Sequence, residues 1–172
     1  MKAVGLDLSL VSTGVAAVVP AGTWTTVVRV PTELPTMDRL RQIRQRVMDL
    51  ARGADLVVVE GLALHSQTGQ HLTRAGLWHL VMERVDAAGI PWAQVPPASL
   101  KRYATGRGNA PKDQVLAAVL ARFGVTTARG HDEADALILA AMGADHMGSP
   151  VVTMPPRHRD ALRAVAWPDG RS

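Results

Sequence analysis

"VGLDLSLVSTG", residues 4–14, sets a carboxylate inside what otherwise reads as a buried strand. Val4, Leu6 and Leu8 surround Asp7, and the chain turns through 9–14 into a second apolar run, Val15–Val19. An aspartate in apolar surroundings is costly unless something offsets its charge, and a strand-interior acid has no routine structural role. Working outward, residues 2–8 and 15–19 read as two strands, and "TWTTVVRV" (23–30) as a third, an antiparallel meander. Pro31 and Pro35 break that pattern.

From Thr36 to Arg52 the period is helical, with Leu40, Ile43, Val47 and Leu50 on one face, Thr36 as N-cap and Gly53 as the C′ residue. "ADLVVVE" (54–60) is a continuous apolar run ending in an acid, as in a strand covered on both sides of a parallel arrangement. After a polar loop at 61–71, the spacing predicts a helix from Leu72 to Ala88, with Leu77, Leu80, Val81 and Val85 inward and Gly89 closing it. "IPWAQV" (90–95) is a short strand, and Ser99 caps a brief helix before the loop "GRGNAP". Helices follow at Lys112–Phe123 and about Asp132–Met142. The order βββαβαβαα implies an α/β fold, one mixed sheet with helices on its faces. Residues 1–148 form the single domain. Residues 149–172, with four prolines and four arginines, form a C-terminal extension that is loosely packed or docked by Trp167.

Composition narrows the classes. The chain has 172 residues, 47% hydrophobic and 20% charged, a globular composition with enough length for a real core. The absence of cysteine excludes a disulfide scaffold, a thiolate zinc site and a cysteine nucleophile. Asp7 interrupts the N-terminal apolar stretch too early for a signal peptide, and no apolar run approaches bilayer length, so a cytoplasmic protein is expected. Nineteen lysines and arginines against 15 acids, net +4, fit a polyanionic partner without demanding one.

Asp7 is one of a set. Glu60 ends the "LVVVE" strand, where open α/β sheets place their ligands. "HDEADALILAA" (131–141) opens an apolar helix with three acids, of which Asp132 and Asp135, three residues apart, project from the same side while Glu133 turns away. Singly each has an ordinary reading: Asp132 an N-cap, Asp135 a dipole-favoured first-turn acid, Glu60 a strand-end acid meeting a surface arginine. Four carboxylates gathered at one sheet edge, however, repel one another unless hard cations neutralise them. Magnesium and manganese prefer such oxygen ligands, and two ions about 4 Å apart clamp a phosphodiester for in-line attack.

The stretches "GLDLSLVSTG", "LVVVEG", "LKRYATGRGNAPKDQV" and "HDEADALILA", in this order and spacing, resemble the RuvC family of Holliday-junction resolvases in the RNase H-like nuclease superfamily. The resemblance spans about residues 1–147. It implies an RNase H-like fold, a metal-binding catalytic tetrad of Asp7, Glu60, Asp132 and Asp135 holding two Mg²⁺ or Mn²⁺ ions, and catalytic lysines at Lys101 and Lys112. It also implies hydrolysis leaving a 3′-hydroxyl and a 5′-phosphate. Two departures stand out: Leu8-Ser9 follows Asp7 where the family often has Pro-Gly, and Ala63 occupies a position where some relatives carry an aromatic wedge, with Leu62 or Leu64 as substitutes.

Phosphate contacts must come from basic and amide groups. Residues 61–79 offer His65, Gln67, Gln70, His71 and Arg74, and 101–112 offer Lys101, Arg102, Arg107 and Lys112 among glycines. Arg39, Arg41, Arg44, Arg46 and Arg52 read as a solvated helix face, and His131 as a helix-start residue. A four-way junction is roughly two-fold symmetric, which suits a C2 homodimer with the 72–88 helix as candidate interface. The expected substrate is therefore branched DNA, four-way junctions above all. The neighbouring alternative is a nuclease of the same fold acting on flaps or forks. An ATP-binding domain of the actin and sugar-kinase type would need a second domain, and a catalytically dead DNA binder would need a broken tetrad.

Overall fold

The computed structural model describes residues 1–62, 69–124 and 128–168. β1 (Ala3–Asp7), β2 (Thr13–Val19) and β3 (Gly22–Val28) form the antiparallel meander, while β4 (Leu56–Glu60) and β5 (Trp92–Val95) add on the far side of β1 in parallel. The sheet order is β3-β2-β1-β4-β5. This is the expected mixed sheet, with helices on both faces.

Strand alternation explains the two cores. Ala3, Ala16, Val18, Leu56 and Val58 face one side, against α3 (Pro97–Thr105), α4 (Lys112–Phe123) and α5 (His131–His146). Val4, Leu6, Val15, Ala17, Val57 and Val59 face the other, against α1 (Thr36–Ala51) and α2 (His71–Ala87). Side chains of successive strand residues point to opposite faces, so a run apolar at every position is buried on both. The expected period thus produces a helix–sheet–helix sandwich.

Several local expectations change. Pro35, not Thr36, is the N-cap of α1, because proline's fixed φ suits helix entry and Thr36 is already helical. Ser99 lies buried inside α3, which starts at Pro97 after Pro96. α5 runs on to His146, four residues beyond Met142, because it stays buried through Asp145. In α2 the buried set is Leu77, Trp78, Val81, Met82 and Val85, whereas Leu80 is only partly buried. That face packs into the chain's own core, so it is not free to serve as the interface expected of it. Gly53 and Gly89 end their helices with φ of 70° and 65°, the left-handed geometry glycine supplies without strain.

Residues 149–168 pack onto the core on the α5 side. They form a short helix, α6 (Pro156–Arg159), and a 3-10 turn, Asp160–Ala164, with Met154, Ala161 and Val165 buried. Asp145, with only 1% of its side chain exposed, accepts from Arg159 Nη2 at 2.7 Å and Nε at 3.0 Å, and from the Tyr103 hydroxyl at 3.0 Å. Trp167 stacks on His146 with ring centres 4.2 Å apart. No helix among the described residues is long and apolar enough to cross a membrane.

Candidate active site

The carboxylates meet because of register and close helix approach. Asp7 ends β1, directly opposite Gly14, which is itself opposite Val27. Val59, one residue before Glu60, pairs beside Gln94, and Gly61 N–H donates to the Val95 carbonyl at 2.9 Å, so the end of β4 is tied to β5. Trp78 Nε1 donates to the Glu60 carbonyl at 3.0 Å and fixes that strand end to α2.

α5 crosses the first two strands at their glycines. A Cβ on Gly14 would overlap the Asp132 carbonyl, and one on Gly5 would overlap the Ala136 carbonyl. With no side chains there, the first two turns of α5 lie on β1 and β2 and carry Asp132 and Asp135 to the level of Asp7. Glu133 serves the fold instead, since its carboxylate accepts from the Arg129 N–H at 2.5 Å and holds the entry to the helix.

Electrostatics show the convergence. Burial, first, and then the negative charges of Glu60, Asp135 and Asp132 push the Asp7 carboxyl up to about 8; Arg74 partly offsets this. Glu60 is raised by burial and by Asp135, and lowered by Arg74, Lys112 and Lys101. Asp135 is raised by burial and by Asp132, while Lys112, His131 and Lys101 work against the rise. The other three acids all act on Asp7, and Asp135 links Glu60 to Asp132. Among the described residues no three His, Asp or Glu side chains are grouped closely enough to hold a metal ion as they stand. The donor set itself, all carboxylate oxygens and no thiolate, fits a hard divalent cation.

No family model matches the chain. Among curated proteins it is similar to the crossover junction endodeoxyribonuclease RuvC of Synechococcus sp. (strain WH7803), 29% identical over 153 residues, 83% of this chain and 97% of that protein. RuvC of Syntrophomonas wolfei is 32% identical over 149 residues, 81% of this chain and 86% of the relative. The chain belongs to the RuvC family. The solved structure of Thermus thermophilus RuvC shares the fold with a TM-score of 0.71 at 22% identity, covering 90% of this chain and all of that one. The same protein solved in complex with a Holliday junction substrate superposes equally well, TM-score 0.71.

Within this RuvC-family fold, the residues expected to contact DNA fall in two places. Lys101 and Arg102 lie on α3, Arg107 on the following loop and Lys112 at the start of α4; the two lysines both act on Glu60 and Asp135. Gln70 and His71 stand at the start of α2, and Arg74 one turn on, its Nε donating to the Leu8 carbonyl at 3.3 Å. Arg74 is thus anchored beside the end of β1, and its charge acts on both Asp7 and Glu60. Only tertiary packing of α2 on the β1 end could reveal that. Ala63, Leu64, His65 and Gln67 lie outside the described residues.

Several of the other basic groups have structural partners. On α1, Arg39 donates to the Leu10 carbonyl at 2.6 Å and Arg46 to the Arg29 carbonyl at 2.7 Å, while Arg41 and Arg52 pair with Asp38 and Asp49 on the same helix. His131 Nε2 meets Asp113 Oδ1 at 2.9 Å, joining the starts of α5 and α4.

Proposed function

We propose that this chain is a structure-selective endodeoxyribonuclease that resolves four-way junctions by metal-dependent phosphodiester hydrolysis, making paired symmetric nicks. One observation carries the reading. Asp7 is 6% exposed and so crowded by burial and three other acids that its ordinary ionised state requires a counter-charge. Arg74 supplies part of it; the oxygen donors Asp7, Glu60, Asp132 and Asp135 would hold Mg²⁺ or Mn²⁺, two ions per site, for the rest. Such ions, when bound, activate water and polarise the scissile phosphate.

The chain's own residues do the remaining work. Lys101 and Lys112 direct positive charge at the Glu60 and Asp135 end of the cluster and offset charge building on the phosphate in the transition state. Arg102, Arg107 and Gln70 would hold flanking DNA. Burial of α5 from Glu133 onward fixes Asp135, so that acid would keep a set orientation toward the attacked phosphorus. Two such sites in a C2 homodimer match the symmetry of a junction and yield paired cuts. The reading places the protein in the cytoplasm of a bacterial cell, or of the host if the gene is viral.

Cleavage of a mobile four-way junction, a fork and a flap in Mg²⁺ and in Mn²⁺ tests this directly. Symmetric paired nicks on the junction are expected from the wild-type protein, with none from Asp7→Asn, which should still bind. Preferential cutting of the fork or flap would reassign the substrate, and a normally active Asp7→Asn would remove Asp7 from the machinery.

A further inference from the structure

A polar cavity of about 390 Å³ opens beside the carboxylates, on the β3 side, lined among others by Thr26, Arg29, Arg129, Gly130 and Asp132. The register fixes where it lies. Val27, another lining residue, is opposite Gly14, which is opposite Asp7, so the cavity stands two strand spacings from Asp7, about 10 Å. It is adjacent to the cluster and separate from the Lys101–Lys112 side.

Two arginines reach this cavity with anchored backbones and unengaged side chains. The Arg29 carbonyl is held by Arg46 Nη1 at 2.7 Å, and the Arg129 N–H by Glu133 at 2.5 Å. Neither guanidinium has a hydrogen-bond or ion-pair partner among the described residues, and both residues are exposed. Glu133, which also lines the cavity, is buried with its carboxylate on the Arg129 backbone N–H and forms no ion pair with either guanidinium. Gly130, extended at the start of the 16-residue α5, adds the positive end of a helix dipole to the same wall.

We propose that Arg29 and Arg129 form a subsite for a DNA phosphodiester flanking the scissile one. This rests on the nuclease reading above. A paired guanidinium wall matches the two free oxygens of a diester, and its charge does not vary with pH in the working range. The Asp132 carboxylate on the same wall disfavours a dianionic free phosphate and suits the monoanionic diester. Contacts here and at Arg107 and Lys112 would hold the cut strand on both sides of the carboxylates. The subsite is a positioning device for the strand.

The test compares Arg29→Ala/Arg129→Ala and Arg29→Lys/Arg129→Lys, each in an Asp7→Asn background with Mg²⁺ so that DNA is not consumed. Binding to a four-way junction and to a duplex of equal length is measured from about 50 to 200 mM salt. The alanine pair should weaken Kd about tenfold on both DNAs and flatten the log K against log salt slope by about one, the loss of one phosphate contact. The lysine pair should regain most of the slope. Unchanged affinity and slope with the fold intact, or weakening that lysine does not restore and salt does not modulate, overturns the subsite. If the parent shows no preference for the junction over duplex, the resolvase reading falls, while the slope comparison on duplex still decides the subsite.

Discussion

Replacing Asp7 by asparagine should stabilise the metal-free protein while ending its chemistry. The carboxyl is held near 8 against an ordinary value of 3.8, because burial and the Glu60, Asp135 and Asp132 charges disfavour ionisation. Because the folded value is the higher one, the neutral acid costs nothing below pH 4. The native state then loses stability as pH rises from about 4 through 8, where the unfolded chain ionises and the folded one resists. At about 1.4 kcal/mol per pH unit, a gap of this size sets a ceiling near 6 kcal/mol. Arg74 nearby, and water reaching the partly exposed Glu60, reduce what asparagine relieves. We expect about 2–4 kcal/mol at pH 8, or roughly 4–16 °C in Tm for a chain of this length. The assay is urea and thermal unfolding of both proteins in EDTA at pH 5, 6, 7 and 8; their difference is the readout, since surface acids cancel. It should be small at pH 5 and grow steadily, and saturating Mg²⁺ should close it by stabilising the wild type alone. Equal stabilities at pH 8 in EDTA would refute the claim that Asp7 is an uncompensated buried acid.

Three further outcomes follow from packing and charge. Arg159→Ala leaves Asp145 buried with only the Tyr103 hydroxyl as partner and should cost about 3 kcal/mol by urea unfolding, with cleavage intact at temperatures where the variant is folded. Gly14→Ala drives a methyl into the Asp132 carbonyl; we expect about 1–3 kcal/mol of destabilisation. Its cleavage rate should fall about 100-fold in the folded protein, since two carboxylates move with α5. Lys112→Gln should lower the single-turnover cleavage rate about 100-fold with junction affinity nearly unchanged.

How far the sequence could be read depends on the range of the forces involved. The strands and Asp7 were legible because alternation and burial are local signals, and an acid among Val4, Leu6 and Leu8 violates them visibly. The ends of β4 and the acids of α5 were legible as a set once strand-end placement was considered. Helix starts were misplaced where proline did the capping: Pro35 and Pro96 precede helices in which Thr36 and Ser99 are interior. The apolar face of α2 was read as inward and also offered as a dimer seam, because a monomer's core and a seam carry the same apolar stripe; the packing of Trp78 and Met82 gives it to the core. The Asp145–Arg159–Tyr103 clasp joins residues 42 and 14 positions apart by hydrogen bonding and ion pairing, and no periodicity announces it. The position of Arg74 beside the end of β1, and the pairing of Arg29 with Arg129 across one cavity, are likewise products of register.

The depth at which α5 lies has a mechanical corollary. From Glu133 to Asp145 every residue of that helix is buried, and its approach to β1 and β2 is closed by bare glycines with no slack. Asp135 thus belongs to an unyielding wall, whereas Glu60 and Asp132, both partly exposed, retain rotameric latitude. Were the cluster to close on an ion, the room for movement would lie with the strand-end glutamate and the helix-tip aspartate, with the other pair as the anvil.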